Sequence, residues 1–198
     1  MLLLTFRVAQ DLYAVDATRV VEIVPRVDPR PIPRTPDFLV GLFGYRGRVV
    51  PAIDLALLLG KAPAPGRLST RVILVEARKS QVGRHPSQPA AEPLLLGLIV
   101  EQVNEVVRVD EARVAFPSMR LEGAPYLGAM VRVDPDARSL AQLIEVDSVL
   151  PGSLRDALFG GWEKTDEIDA DRRGSDRASK PSLDETPRSE VPQGAVAR

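Results

Sequence analysis

The stretch Gly41-Leu-Phe-Gly-Tyr-Arg-Gly-Arg-Val-Val-Pro-Ala-Ile-Asp-Leu55 constrains this chain more than any other, because its strand, turn and cap signals agree. Leu42 to Tyr45 and Val49 to Ile53 read as two strands. Arg46-Gly47 stands between them, and Gly47 supplies the positive φ that a tight turn needs. Val49, Val50 and Ile53 are β-branched and suit a pleated, packed surface. Pro51 lacks an N–H, which predicts an edge or a bulge at that point. Asp54 is placed to cap a helical run from Leu55 to Leu59, where asparagine would serve as well, and Gly60 stops that run. The hairpin therefore carries one arginine on a stiff turn, flanked by Arg48.

The rest of the chain up to about residue 160 reads mostly as strands. Leu2, Leu4, Phe6 and Val8 alternate with Leu3, Thr5 and Arg7, and the pair Gln10-Asp11 turns the chain into Leu12 to Val15. Asp16 to Arg19 reads as one helical turn and Val20 to Val24 as strand. Pro25, Pro29, Pro31, Pro33 and Pro36 predict an extended connector without a strand ladder. Arg71 to Glu76, Leu94 to Val100, Val103 to Val107, Ala129 to Val133 and Leu140 to Val146 are further strands. Arg78 to Pro93 reads as a long polar loop, Asp134-Pro-Asp136 as a hairpin turn, and Asp110 to Arg120 stays ambiguous. Ser153 is placed to cap a helix over Leu154 to Phe159. Val20-Val-Glu-Ile-Val24 is echoed by Val103-Asn-Glu-Val-Val107, and Ile53-Asp54 by Val146-Asp147. This repetition predicts two similar small barrels over residues 1–160, with Asp54 and Asp147 as matching caps. From residue 161 charges, Ser and Pro dominate, which predicts a disordered tail over 161–198.

Composition removes several function classes. The 198 residues include 44% hydrophobic ones, enough for a sizeable core, and no cysteine. Disulfides, thiolate metal sites and a cysteine nucleophile are thereby excluded. A net charge of −1 and 5% aromatics argue against an oligonucleotide-binding barrel. No stretch approaches the roughly 20 apolar residues of a membrane span, and the apolar start Met1 to Phe6 is cut short at Arg7. The reading is a cytoplasmic protein without direct membrane insertion. The one histidine, His85, lies in the Pro-rich loop and reads as an ordinary surface residue. Gly41, Gly44 and Gly47 form Gly-x-x-Gly-x-x-Gly, which is not a phosphate fingerprint. No catalytic constellation, metal site or cofactor motif stands out, which disfavours an enzyme or small-ligand barrel.

Gly41, then Arg46-Gly47, then Pro51 and Asp54-Leu55 resembles the signature of CheW-like adaptor domains. That pattern is a Gly, an Asn-Leu-Arg-Gly turn, then Pro-Val-Ile-Asp-Leu; here the Asn and Leu positions are Gly44 and Tyr45. The resemblance extends over about residues 1 to 160, in words such as Leu96-Gly-Leu-Ile-Val-Glu-Gln-Val-Asn-Glu-Val106, where Glu101 replaces the family's usual Asp. With Leu68-Ser-Thr-Arg71 and Gly123-Ala-Pro-Tyr-Leu-Gly128, the whole set is most similar to the second coupling protein of Wsp-type surface-sensing systems.

The resemblance implies an all-β fold of two small five-stranded, SH3-like barrels sharing a core. It implies a non-catalytic adaptor between the cytoplasmic tip of a methyl-accepting chemoreceptor and the regulatory domain of a CheA-type histidine kinase, recruited to receptor arrays. The output would be cyclic-di-GMP synthesis and surface attachment, or, in a motility coupling protein, swimming. The positions matching the partner-binding surface are Val20, Glu22, Gly41, Arg46 and Val106, with Gly47 and Tyr45 beside the arginine. A guanidinium on a rigid turn suits bidentate recognition of a partner carboxylate.

Overall fold

The computed structural model describes residues 1–78, 93–116, 122–134 and 139–159. The loop over residues 79–92 with His85, the Asp134-Pro-Asp136 turn in part, and the tail over 161–198 lie outside the described residues. The chain divides into one compact unit, Met1–Pro151, and a second that begins at Gly152. In the second unit the described element is helix α2, Gly152–Phe159. Ser153 stands inside its first turn rather than ahead of it.

Among its described residues the first unit is built of strands, with one short helix and three 3-10 turns. β1 (Leu2–Val8), β2 (Asp11–Asp16) and β3 (Val20–Pro25) come first, with the turn Ala17–Arg19 before β3. β4 (Leu39–Tyr45), β5 (Arg48–Asp54) and helix α1 (Leu55–Leu58) follow. Then come β6 (Arg71–Ala77), β7 (Leu94–Val100), β8 (Gln102–Arg108) and β9 (Val114–Phe116). β10 (Leu127–Arg132) and β11 (Leu140–Ile144) end in the turn Val146–Ser148. No described helix is long and apolar enough to cross a membrane.

Two sheets result, in the orders β8-β1-β2-β11-β10-β9 and β3-β6-β7-β5-β4. The first has six strands where five were expected. The additional one, β9, falls in the stretch that the sequence left ambiguous and pairs with β10 at Met130↔Phe116 and Val131↔Val114. Neither sheet is made from a continuous half of the chain. β1–β2 is followed by β3, which crosses to the other sheet and pairs antiparallel with β6. β6–β7 is followed by β8, which crosses back and pairs antiparallel with β1. The second hairpin of each half then lies parallel to the other half's strand, β5 against β7 and β11 against β2. The echo of Val20–Val24 in Val103–Val107 marks the two exchanged strands, and the echo of Ile53-Asp54 in Val146-Asp147 marks the ends of β5 and β11.

Burial on both faces of the middle strands joins the sheets. All seven residues of β7 are buried. Leu95 and Ile99 pack with Phe43, Val50, Ala52, Val72 and Leu74 inside the five-stranded sheet. Leu3 packs with Ala14, Val109, Val131 and Ala141 inside the six-stranded one. The opposite faces are buried too, through Leu4, Phe6, Val8 and Val15 on one sheet and Ile73, Val75, Leu96 and Leu98 on the other. A sheet buried on both faces needs a layer on each, and these two faces supply it for one another.

Two local expectations change. Strand β5 is internal, between β4 and β7, so Pro51 is not on an edge. It is tolerated because parallel pairing with β7 begins only at Ala52, which leaves no ladder bond there for proline to forgo. The Pro-rich connector is not wholly unpaired either. Arg30 N–H donates to the Leu42 carbonyl at 2.7 Å and Leu42 N–H donates to that of Arg30 at 2.9 Å, an isolated bridge that covers the edge of β4. Gly41 lies under this bridge with φ +147°. A Cβ there would stand 2.3 Å from the Arg30 carbonyl oxygen.

Asp54 is 4% exposed and acts as a three-way acceptor. One oxygen accepts from Ala56 N–H at 2.9 Å and Leu57 N–H at 3.4 Å, at the start of α1. The other accepts from Ala64 N–H at 2.9 Å and so pins the segment after α1 onto the barrel. Asparagine is therefore not the equivalent that capping alone suggests. It has one acceptor oxygen, so its NH2 would face a backbone donor.

Two predictions follow from these contacts. Asp54→Asn is expected to cost about 1–3 kcal/mol, the penalty of a buried unsatisfied donor, and Asp54→Ala at least as much; urea unfolding reads both. A wild-type midpoint for Asp54→Asn would show that the bond to Ala64 contributes nothing. Gly41→Ala is expected to cost about 2 kcal/mol or more, by displacing the connector. Gly44→Ala meets nothing within 4 Å and should stay within about 0.5 kcal/mol. Equal melting of these two glycine variants would refute the close-approach account.

Candidate partner-binding surface

The turn between β4 and β5 has two residues, and both have positive φ, +48° at Arg46 and +78° at Gly47. This is the type I′ geometry whose twist matches that of the flanking strands. Glycine suits it; arginine does not, at about 1 kcal/mol for the left-handed conformation. Strand β4 alternates as expected, with Leu39, Gly41 and Phe43 buried and Val40, Leu42 and Tyr45 part-exposed.

The turn delivers Arg46 onto β3. Arg46 Nη2 lies 2.7 Å from Glu22 Oε2, and the Tyr45 hydroxyl donates to the same oxygen. The guanidinium carbon stands 5.1 Å from the centre of the Tyr45 ring. Glu22 is on the last strand at one end of the sheet order and Tyr45 on the last at the other, so this contact closes the sheet into a barrel. Glu22, by accepting the bond, pushes the Tyr45 hydroxyl above its usual pKa. The Arg46 side chain is 72% exposed. An ion pair this open contributes about 0–1 kcal/mol, so folding does not depend on it. Arg48 departs to the other side, its guanidinium donating to the Pro93 carbonyl at 3.3 Å.

The sequence-selected positions separate into three groups. Glu22, Tyr45, Arg46 and Gly47 come together at the rim of the five-stranded barrel. Val20 is half-buried at the start of β3, opposite Val75, and Val106 is 54% exposed on β8 of the other sheet, opposite Leu4. Gly41 stands apart from this cluster. It is buried beneath Arg30, and its residue type answers to backbone approach.

Two exposed apolar residues were not singled out, Val21 at 45% and Ile23 at 40%. The register of β3 shifts between Val20 and Glu22, so the alternation slips within the run, and a run of β-branched residues does not reveal where. Ile23 is opposite buried Ile73, and Val106 is opposite buried Leu4. Both pairs lie on the faces turned to the shared layer. The two exchanged strands thus border the seam between the sheets with apolar side chains.

Asp147 is not a cap. The residue ahead of the turn Val146–Ser148 is Glu145, whose side chain makes no cap bond. The Asp147 carboxylate instead pairs with Arg19 and accepts from Arg78 N–H at 2.6 Å, and Arg19 Nε donates to the Glu76 carbonyl at 2.7 Å. It ties the end of β11 to the end of β6 and to the turn after β2. Glu101 has a comparable task, accepting from Ala9 N–H at 2.6 Å, where φ is +55°. Among the described residues no group of three or more His, Cys, Asp or Glu could hold a metal ion.

Comparison with known proteins converges on one description. The model of the CheW-like domain matches residues 2–153. The chain is 30% identical over 132 residues to the chemotaxis protein CheW of Treponema pallidum, covering 66% of this chain and 72% of that protein. It is 27% identical over 156 residues to the chemotaxis protein CheW of Rhizobium meliloti, covering 78% and 90%. Among solved structures it is similar to the scaffolding protein TtCheW from Thermoanaerobacter tengcongensis. There the TM-score is 0.60 at 26% identity, covering 76% of this chain and 89% of that one.

Proposed function

This chain belongs to the CheW-like domain family, and from that premise we propose that it is a non-catalytic coupling adaptor holding chemoreceptor tips and a CheA-type histidine kinase in one array. The observation that carries the reading is the family match over residues 2–153, which spans both sheets. In this reading the adaptor domain is residues 1–160. One face receives the helical hairpin of a receptor tip and another the CheW-like regulatory domain of the kinase, so the protein is recruited to membrane-bound arrays without entering the membrane.

Arg46, with Glu22, Tyr45, Gly47, Val20 and Val106, is assigned to the partner-binding face. The strained turn supports this. A non-glycine residue at φ +48° costs stability, and its ion pair returns little at that exposure. An arginine held there at a net cost is explained by what it binds.

The finer reading is a Wsp-type pathway, whose output is cyclic-di-GMP synthesis and surface attachment. A second reading, motility coupling, is favoured by the names of the relatives, which are chemotaxis proteins. A deletion strain separates the two: lost attachment with normal swimming supports the first, and the reverse supports the second.

Co-sedimentation with receptor fragment and kinase, beside thermal melts, tests the adaptor reading. Arg46→Ala should lose about 2 kcal/mol or more of binding while folding normally. Arg46→Glu should bind worse still, since it adds a carboxylate beside Glu22. Arg46→Lys should rescue only in part, because an ammonium lacks the planar fork. Arg46→Gly should melt at or above wild type yet bind poorly, and Arg48→Ala should bind normally. If Arg46→Glu melts normally and still joins the array, the arginine is not in the interface. If neither receptor nor kinase sediments with the wild-type chain, the adaptor reading is wrong.

A further inference from the structure

The group that Arg46 meets can be specified further, on the premise that this rim is part of the partner-binding face. Arg46 does not present a bare positive charge. Glu22 Oε2 lies 2.7 Å from Nη2, and Tyr45 fixes that oxygen through its hydroxyl and lies beside the guanidinium with its ring. The pair is open to solvent, with side chains 72% and 38% exposed.

Among the described residues Arg46 donates from this one nitrogen, and the second oxygen of Glu22 accepts no hydrogen bond. The rim therefore offers guanidinium donors and a carboxylate acceptor side by side, with no net charge. A partner carboxylate would be drawn to the arginine and repelled by Glu22. A neutral carboxamide would gain from both, its oxygen accepting from the guanidinium and its NH2 donating to Glu22.

We infer that the site reads a side-chain carboxamide, Asn or Gln, on the partner rather than a carboxylate, and that Tyr45 is the positioning residue that sets this preference by holding Glu22 against Arg46. A leucine in place of Tyr45 would leave Glu22 held by the arginine alone and free to turn away.

Salt dependence separates the two chemistries, because a contact that pairs net charges weakens with ionic strength and a neutral one does not. The full chain is titrated with a soluble receptor cytoplasmic fragment from about 50 to about 300 mM NaCl, a range over which the screening length falls by more than half. Arg46→Ala should weaken binding about thirtyfold or more yet leave the slope of log Kd against log salt at its wild-type value. Glu22→Gln should also weaken binding at an unchanged slope, because the bared guanidinium still faces a neutral group and the carboxylate that accepts from its NH2 is gone. Tyr45→Phe keeps the ring and its packing. It should weaken binding severalfold with an unchanged melt, and should have no further effect in Arg46→Ala.

If Arg46→Ala flattens the wild-type slope, or Glu22→Gln binds more tightly with a steeper slope, the site reads a carboxylate and the inference is overturned. If Tyr45→Phe binds as wild type, Tyr45 does not position the pair. If Arg46→Ala binds as wild type, it is the partner-binding reading that fails, not the carboxamide preference alone.

Discussion

The antiparallel ladders of β3 on β6 and of β8 on β1 hold two halves of the chain that do not close separately. Each half donates a strand to the other's sheet and lays its second hairpin parallel to the other's first. Removing one half would expose a strand edge on the other and strip the layer over Leu4, Phe6, Leu96 and Leu98. Burying each such side chain contributes about 1.5–3 kcal/mol, so the shared layer outweighs any polar contact described here. The polar contacts decide placement instead. Asp147 aligns three chain ends, Asp54 folds the segment after α1 back onto the barrel, and Arg30 closes the free edge of β4.

The seam produced by the exchange also carries exposed apolar surface. An exchanged strand is an edge strand, with fewer neighbours than a central one. Val21, Ile23 and Val106 stay exposed for that reason. Edge strands elsewhere are commonly guarded by charge or by covering segments. β4 is covered by Arg30, whereas β3 and β8 keep β-branched residues facing out. The polar cluster of Glu22, Tyr45 and Arg46 at the barrel rim adds direction to this otherwise nonspecific surface.

Local signals were legible in the sequence and non-local partners were not. Period-two patterning placed the strand around Leu2–Val8, β-branching and turn residues placed the hairpin from Leu42 to Ile53, and an apolar run placed the strand Leu94–Val100, because all of these are properties of neighbouring residues. The two-residue turn followed from Gly47 for the same reason. Gly41 was read as part of a contact surface because the backbone that covers it, at Arg30, lies eleven positions back along a Pro-rich connector. Asp147 looked like Asp54 by position. Its partners, Arg19 and Arg78, are distant in sequence and owe their meeting to the exchange. The third acceptor bond of Asp54, from Ala64, is likewise invisible to a capping rule that considers only the next turn. The bulge in β3 depends on its pairing with β6, so the outward turn of Val21 could not be read from β3 alone.

The barrel closure and the proposed recognition site use the same carboxylate, which raises the question whether a partner could draw on Glu22 without opening the fold. The energies say that it could. The contact of Glu22 with Arg46 is open to water and contributes about 0–1 kcal/mol. Closure does not rest on it, because Tyr45 also packs against the interior of Val50, Val72 and Ile99, and the Arg30–Leu42 bridge holds β4 from outside. A partner that hydrogen-bonds Glu22 therefore competes with a weak interaction while the strong ones stay in place. The two positive-φ residues of the turn keep Arg46 near Glu22, so little side-chain ordering remains to oppose binding. Stability resides in the shared layer, so substitutions at the rim can retune the proposed recognition without unfolding the chain.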